Sequence, residues 1–70
     1  MAISNKQRLI KTINLQIELL APHENLTEDQ LRGKIADWCS GNNYPRKFHR
    51  MQIFQLQSLT RAIEHRDYNN

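Results

Sequence analysis

Apolar residues recur along this chain at helical intervals. Ile10, Ile13, Ile17 and Leu20 follow one another at steps of 3, 4 and 3, and Leu9 stands at the edge of the face they share. Ser4 and Gln7 have the spacing of a capping box, in which each side chain satisfies a free backbone N–H of the other. Together these predict a helix over 5–21, preceded by a loose end at 1–4 and stopped by Pro22. Ile13 to Leu19 also alternates apolar and polar residues, as a half-buried strand would. The flanking Leu9, Ile10 and Leu20 fit only the helical period, and a lone strand leaves its backbone groups unpaired. The helix is therefore expected. The alternation still places Leu15 and Leu19 off the main stripe, as a second apolar edge. That edge suits another helix of the same domain, a partner protein, or a second copy of the chain.

Leu26-Thr27-Glu28-Asp29-Gln30-Leu31 is the strongest local signal. Thr27 and Gln30 form a second capping box, Leu26 can staple to Leu31, and the two acids sit where the helix dipole favours negative charge. A helix over 28–40 follows, with Leu31, Ile35, Trp38 and Cys39 on its core side and Gly41 as the residue that ends it. Gly33 weakens it by up to ~1 kcal/mol relative to alanine, and reads as a close approach of another helix. Pro45 suits a first helical position. A third helix over 45–66 then places Phe48, Leu56, Leu59 and Ile63 within a sector of about 80°. Gln52 and Gln55 fall in or beside that sector, so a break near Met51 is the alternative to one continuous helix. Residues 67–70 are expected to fray. The fold class is all-α: one compact three-helix domain over 1–70, with the third helix continuous or broken near 51.

Composition bounds this picture. A chain of 70 residues buries only roughly 60% of the surface its unfolded form exposes, so most of the large apolar residues are needed in the core. Cys39 is the single cysteine, which excludes an internal disulfide and any CxxC motif and points to a reducing, cytoplasmic setting. No apolar run approaches the ~18 residues of a membrane span, and no signal-peptide core is visible. Net charge is +3, which permits nucleic acid or an acidic protein as a partner without demanding either.

The charge distribution says more than its sum. No acidic residue lies between Asp37 and Glu64, while Arg46, Lys47, Arg50 and Arg61 do. On a continuous third helix, Arg46, Arg50, Gln57 and Arg61 fall within about 60° of one another, and Phe54 projects close by. Arginines around an exposed aromatic suit phosphate tracking with base stacking, or a hot spot against an acidic protein. Phe54 and Tyr44 are the stacking candidates, against the plainer reading of a solvated helix face. Arg32, Lys34, Lys6, Arg8 and Lys11 read as scattered solubilising charges. His23, His49, His65 and Cys39 lack the spacing of a zinc site or a metalloprotease helix. No glycine-rich phosphate loop or paired carboxylates accompany them, so no catalytic residue, cofactor or metal is expected. Ser40 to Tyr44 is near the length of a helix-turn-helix connection, which would make a helix from Pro45 the recognition helix.

Three stretches give a resemblance in outline: Asn5-Lys6-Gln7-Arg8-Leu9-Ile10, Leu26-Thr27-Glu28-Asp29-Gln30-Leu31-Arg32, and Leu56-Gln57-Ser58-Leu59-Thr60-Arg61-Ala62-Ile63. In these the chain resembles the small helical module of GemA-like regulatory proteins of Mu-like phages. It departs from that pattern at Trp38-Cys39 and in the basic, aromatic stretch from Tyr44 to Phe54, and no defined site carries over. The resemblance implies a phage or mobile-element regulator that acts by binding. The expectation is thus a non-enzymatic protein that binds nucleic acid through Arg46, Lys47, Arg50 and Arg61. The alternative is an inhibitor or adaptor that blocks an acidic protein through the same face or the Leu15/Leu19 edge.

Overall fold

The computed structural model describes residues 4–69. Three α-helices make up the domain: α1 (Asn5–His23), α2 (Glu28–Gly41) and α3 (Ile53–Glu64). Short 3-10 turns occupy Phe48–Arg50 and Asp67–Asn69, and there is no strand among the described residues. The expected loose end falls outside the described residues except for Ser4, which is the N-cap of α1.

Both predicted capping boxes form. Ser4 Oγ accepts from the Gln7 N–H at 3.1 Å, and Thr27 Oγ1 accepts from the Gln30 N–H at 3.1 Å. The glutamine side chains return the bond to the cap backbone in each case. α1 does not stop before Pro22 but runs to His23. A proline in the last turn forfeits a single backbone donor, which a helix tolerates far better there than in its interior. What ends α1 is Asn25, at φ 59°, with the Leu26 N–H donating to the Ala21 carbonyl at 2.8 Å. This is the Schellman arrangement, with asparagine in the left-handed position. α2 ends the same way. Asn43 takes φ 62° and the Tyr44 N–H reaches the Cys39 carbonyl at 2.8 Å, so Gly41 is the last helical residue and not the cap. Gly33 is exposed, and a Cβ there would meet nothing within 4 Å; no helix approaches it.

The third helix is interrupted. Lys47, Met51 and Gln52 all have extended backbones, and α3 begins only at Ile53. The reason lies in what a continuous helix would bury. Relative to Leu56, Gln52 would point about 40° from the core direction and Met51 about 140° away. The break exchanges them: Met51 becomes fully buried and Gln52 is exposed, its N–H held by Gln55 Oε1 at 2.9 Å as α3 starts. Residues 45–52 therefore form a strap that packs against α1, anchored by Met51 and by the half-buried Phe48.

The core is one cluster. α1 gives Ile13, Ile17 and Ala21, α2 gives Leu31, Ile35 and Cys39, and α3 gives Leu56, Leu59 and Ile63. Met51 and Tyr68 complete it. Tyr68 corrects the expected fraying: 67–69 is an ordered turn whose tyrosine ring is buried against the bundle. Its hydroxyl donates to Glu24 Oε2 at 2.7 Å, and Arg66 Nε donates to the same oxygen at 3.0 Å. Arg66 adopts φ 56°, a left-handed conformation that costs a non-glycine residue about 1–2 kcal/mol. The bond to Glu24 offsets that strain.

Candidate functional site

The strap gathers the basic residues of the acid-free stretch. Arg46, Lys47 and Arg50 are all exposed on it. Arg46 meets Asp37 of α2 at 3.3 Å, a solvent-exposed pair worth at most about 1 kcal/mol. The Lys47 carbonyl accepts from the Arg50 N–H at 3.0 Å, but neither side chain has a hydrogen-bond or ion-pair partner among the described residues. The sector that grouped Arg46 and Arg50 with Arg61 required a helix through residue 51, and that helix does not exist. Arg61 instead shares the outer face of α3 with Phe54 and Gln57, within about 60°. Phe54 is 58% exposed and Ile53 beside it 43%.

Tyr44 sits differently. It is half-buried, its ring meets Trp38 edge-on with centroids 5.7 Å apart, and its hydroxyl lies 3.4 Å from Ser58 Oγ. Its ring is engaged within the domain, tying the start of the strap to α2 and α3. Leu15 and Leu19 project from the outside of α1, 54% and 66% exposed, so no other helix of the domain covers them.

The strap also builds a recess that no single segment announces. Ile10 of α1, Ala36 of α2 and Phe48 form its apolar part, and Arg32, Arg46, Lys47 and His49 its polar part, around about 410 Å³. Arg32 was expected to be a scattered surface charge. It is half-buried, with Nη1 donating to Asn14 Oδ1 at 2.9 Å, which fixes the guanidinium between α1 and α2. The one local hint was that Arg32 and Ala36 stand four apart on a helix, and so share a face. Among the described residues no carboxylate lines the recess. A second recess, of about 380 Å³, lies between α1 and α3, with Leu9 and Ile53 as its apolar part and Arg8 at its rim.

The groups suited to covalent chemistry are placed elsewhere. Cys39 is fully buried, and burial pushes its thiol up to about 11 even with the Arg46 charge drawing it down, so it rests protonated. Among the described residues no three histidine, cysteine or acidic side chains stand where they could share a metal ion. No described helix is long and apolar enough to cross a membrane. No known protein family, no curated protein and no solved structure matches the chain.

Proposed function

We propose that this chain is a small, non-enzymatic regulatory protein that binds nucleic acid through the basic surface of the strap. The observation that carries the reading is the recess rimmed by Arg32, Arg46 and Lys47, with no described acidic residue lining it and Arg50 exposed on the same turn. These cations come from two separate elements, so their convergence is a property of the fold. A phosphate can displace the exposed Asp37 from Arg46, because a bidentate arginine–phosphate contact is stronger than a surface ion pair. The outline resemblance to GemA-like modules adds a setting, that of a phage or mobile-element regulator acting in the cytoplasm.

Phosphate binding has a quantitative signature. Three or four contacts to a single strand give a slope of log affinity against log salt of about −2 to −3. Titration of fluorescent oligonucleotides at about 50 and 200 mM salt measures it directly. Arg46→Ala combined with Arg50→Ala should shrink the slope while leaving helicity intact. Absence of binding at the lower salt would end this reading.

One observation favours a second reading. Leu15 and Leu19 form an exposed ridge at i, i+4 that the domain leaves uncovered. An inhibitor or adaptor would use that ridge, or the basic strap, against an acidic protein; a second copy of the chain is the other candidate for the ridge. Capture from a nuclease-treated lysate that is lost in Leu15→Ala or Leu19→Ala, but retained in the arginine variants, would select it.

A further inference from the structure

The geometry points to a single-stranded nucleic acid as the ligand, with unstacked bases in two recesses that both border α1, one against the strap and one against α3. This rests on the nucleic-acid reading above and specifies which form is bound.

The first ground is the absence of a projecting recognition element. A duplex is read by a helix or ribbon that enters the major groove, and a helix-turn-helix needs a short turn before that helix. Here residues 42–52 separate α2 from α3, no helix begins at Pro45, and the first turn of α3 carries no cation. Arg32, Arg46 and Lys47 border one hollow and Arg8 the other. A duplex keeps its bases stacked inside and offers convex rows of phosphates, so a hollow with an apolar floor gains nothing from it. A single strand can turn bases out, and an apolar or aromatic surface beside arginines is what holds them.

The second ground is the arrangement of the recesses. Adjacent residues of α1, Leu9 and Ile10, contribute one to each. His49 of the strap borders the first and Ile53, the first residue of α3, borders the second, and four residue steps span at most about 14 Å. Arg50, exposed, lies between these two residues along the chain, within reach of the backbone that would connect two bound bases. Phe54, exposed beside Ile53, extends the stacking surface.

The third ground is size. A turn of peptide helix with its side chains fills about 400–600 Å³, and helix-in-groove binding uses two turns or more. Recesses of about 410 and 380 Å³ hold less than that each, and comfortably hold one base.

The test compares four probes by fluorescence anisotropy: a short oligothymidylate, an abasic strand with the same number of phosphates, a duplex of the same length, and an oligoglutamate peptide. The expected result is oligothymidylate binding at least about tenfold tighter than the abasic strand or the duplex, at both salt concentrations. Ala36→Leu, which fills the first recess, should remove a large part of the oligothymidylate advantage over the abasic strand without changing the salt slope. Ile53→Ser, at a half-exposed position of the second recess, should remove a smaller part, and serves if Ala36→Leu fails to fold by circular dichroism. Oligothymidylate, abasic strand and duplex binding within about threefold of one another would overturn the inference and leave the phosphate-binding reading intact. Binding of the peptide alone, or of no probe, would overturn both.

Discussion

Tyr68→Phe removes one atom from the clasp at the end of the chain and leaves everything else in place. The hydroxyl lost donates to Glu24 Oε2 at 2.7 Å, while the ring stays buried and Arg66 keeps its 3.0 Å bond to the same oxygen. A hydrogen bond to a charged acceptor contributes about 1.5–3 kcal/mol. Because Arg66 remains and the Glu24 side chain is 15% exposed to replacement water, the low end of that range, about 1.5 kcal/mol, applies. For a domain of this size the melting temperature should drop by roughly 6–12 °C. The effect has a pH dependence of fixed sign. Burial alone would raise the Glu24 carboxyl, but the hydrogen bonds from Tyr68 and Arg66, with the Arg66 charge, outweigh it and hold the group below its ordinary value. Stability from such a group is present above the unfolded pKa of about 4.3 and is lost as pH falls through the folded value. The gap between the native chain and Tyr68→Phe should therefore be widest near neutrality and narrow in acid. Tyr68 itself is pushed up to about 12 by burial and by Glu24. The native chain should lose stability as pH climbs from about 10 toward that value, a loss the phenylalanine variant lacks. Urea unfolding followed by circular dichroism at neutral pH, at about pH 3.5 and at about pH 11, with thermal melts at neutral pH, reads these quantities. A neutral-pH difference under about 0.5 kcal/mol, or one that persists undiminished in acid, would refute the clasp as described.

Other consequences are simpler. Gly33→Ala should stabilise the domain by up to about 1 kcal/mol, since a Cβ there meets nothing; a loss of stability in thermal melts would reveal a covered surface. Met51→Ala should cost about 2–5 kcal/mol, out of a total of roughly 3.5–10 for this length, so the urea midpoint should fall by a large fraction; a cost under about 1 kcal/mol would mean the strap is not anchored there. Leu15→Lys with Leu19→Lys should leave the isolated chain's stability within about 0.5 kcal/mol per site, and any change in sedimentation would show that copies of the chain had been covering the ridge.

The parts of this fold that sequence made legible are those decided within one helical turn. Ser4 with Gln7 and Thr27 with Gln30 satisfy each other locally, so their spacing alone predicts them. The interruption at Met51 was half-legible. The same wheel that set Gln52 in the core stripe also turned a methionine toward water, and the polar–apolar exchange is what the break resolves. Arg66 and Tyr68 were opaque. Arginine has no local preference for a left-handed backbone, and the group that makes it tolerable, Glu24, lies 42 residues away along the chain. The candidate site divides in the same way. The missing acids are a one-dimensional fact, whereas the recess needs Ile10, Arg32 and the strap to meet, and only tertiary packing brings them together.

A continuous third helix would have made every exposed cation a helix residue as well, answerable to the same register as Leu56 and Ile63. The interruption separates those obligations. Within the strap, Phe48 and Met51 carry the attachment, while positions 46, 47, 49 and 50 face solvent and belong to no α-helix. Their identities can drift independently of the core, and exchanging them changes the pattern of charge presented without a compensating change in α1, α2 or α3. A library randomised at those four positions should therefore remain mostly folded. On this backbone, selection for a new ligand can act on a surface that is mutationally uncoupled from the stability beneath it.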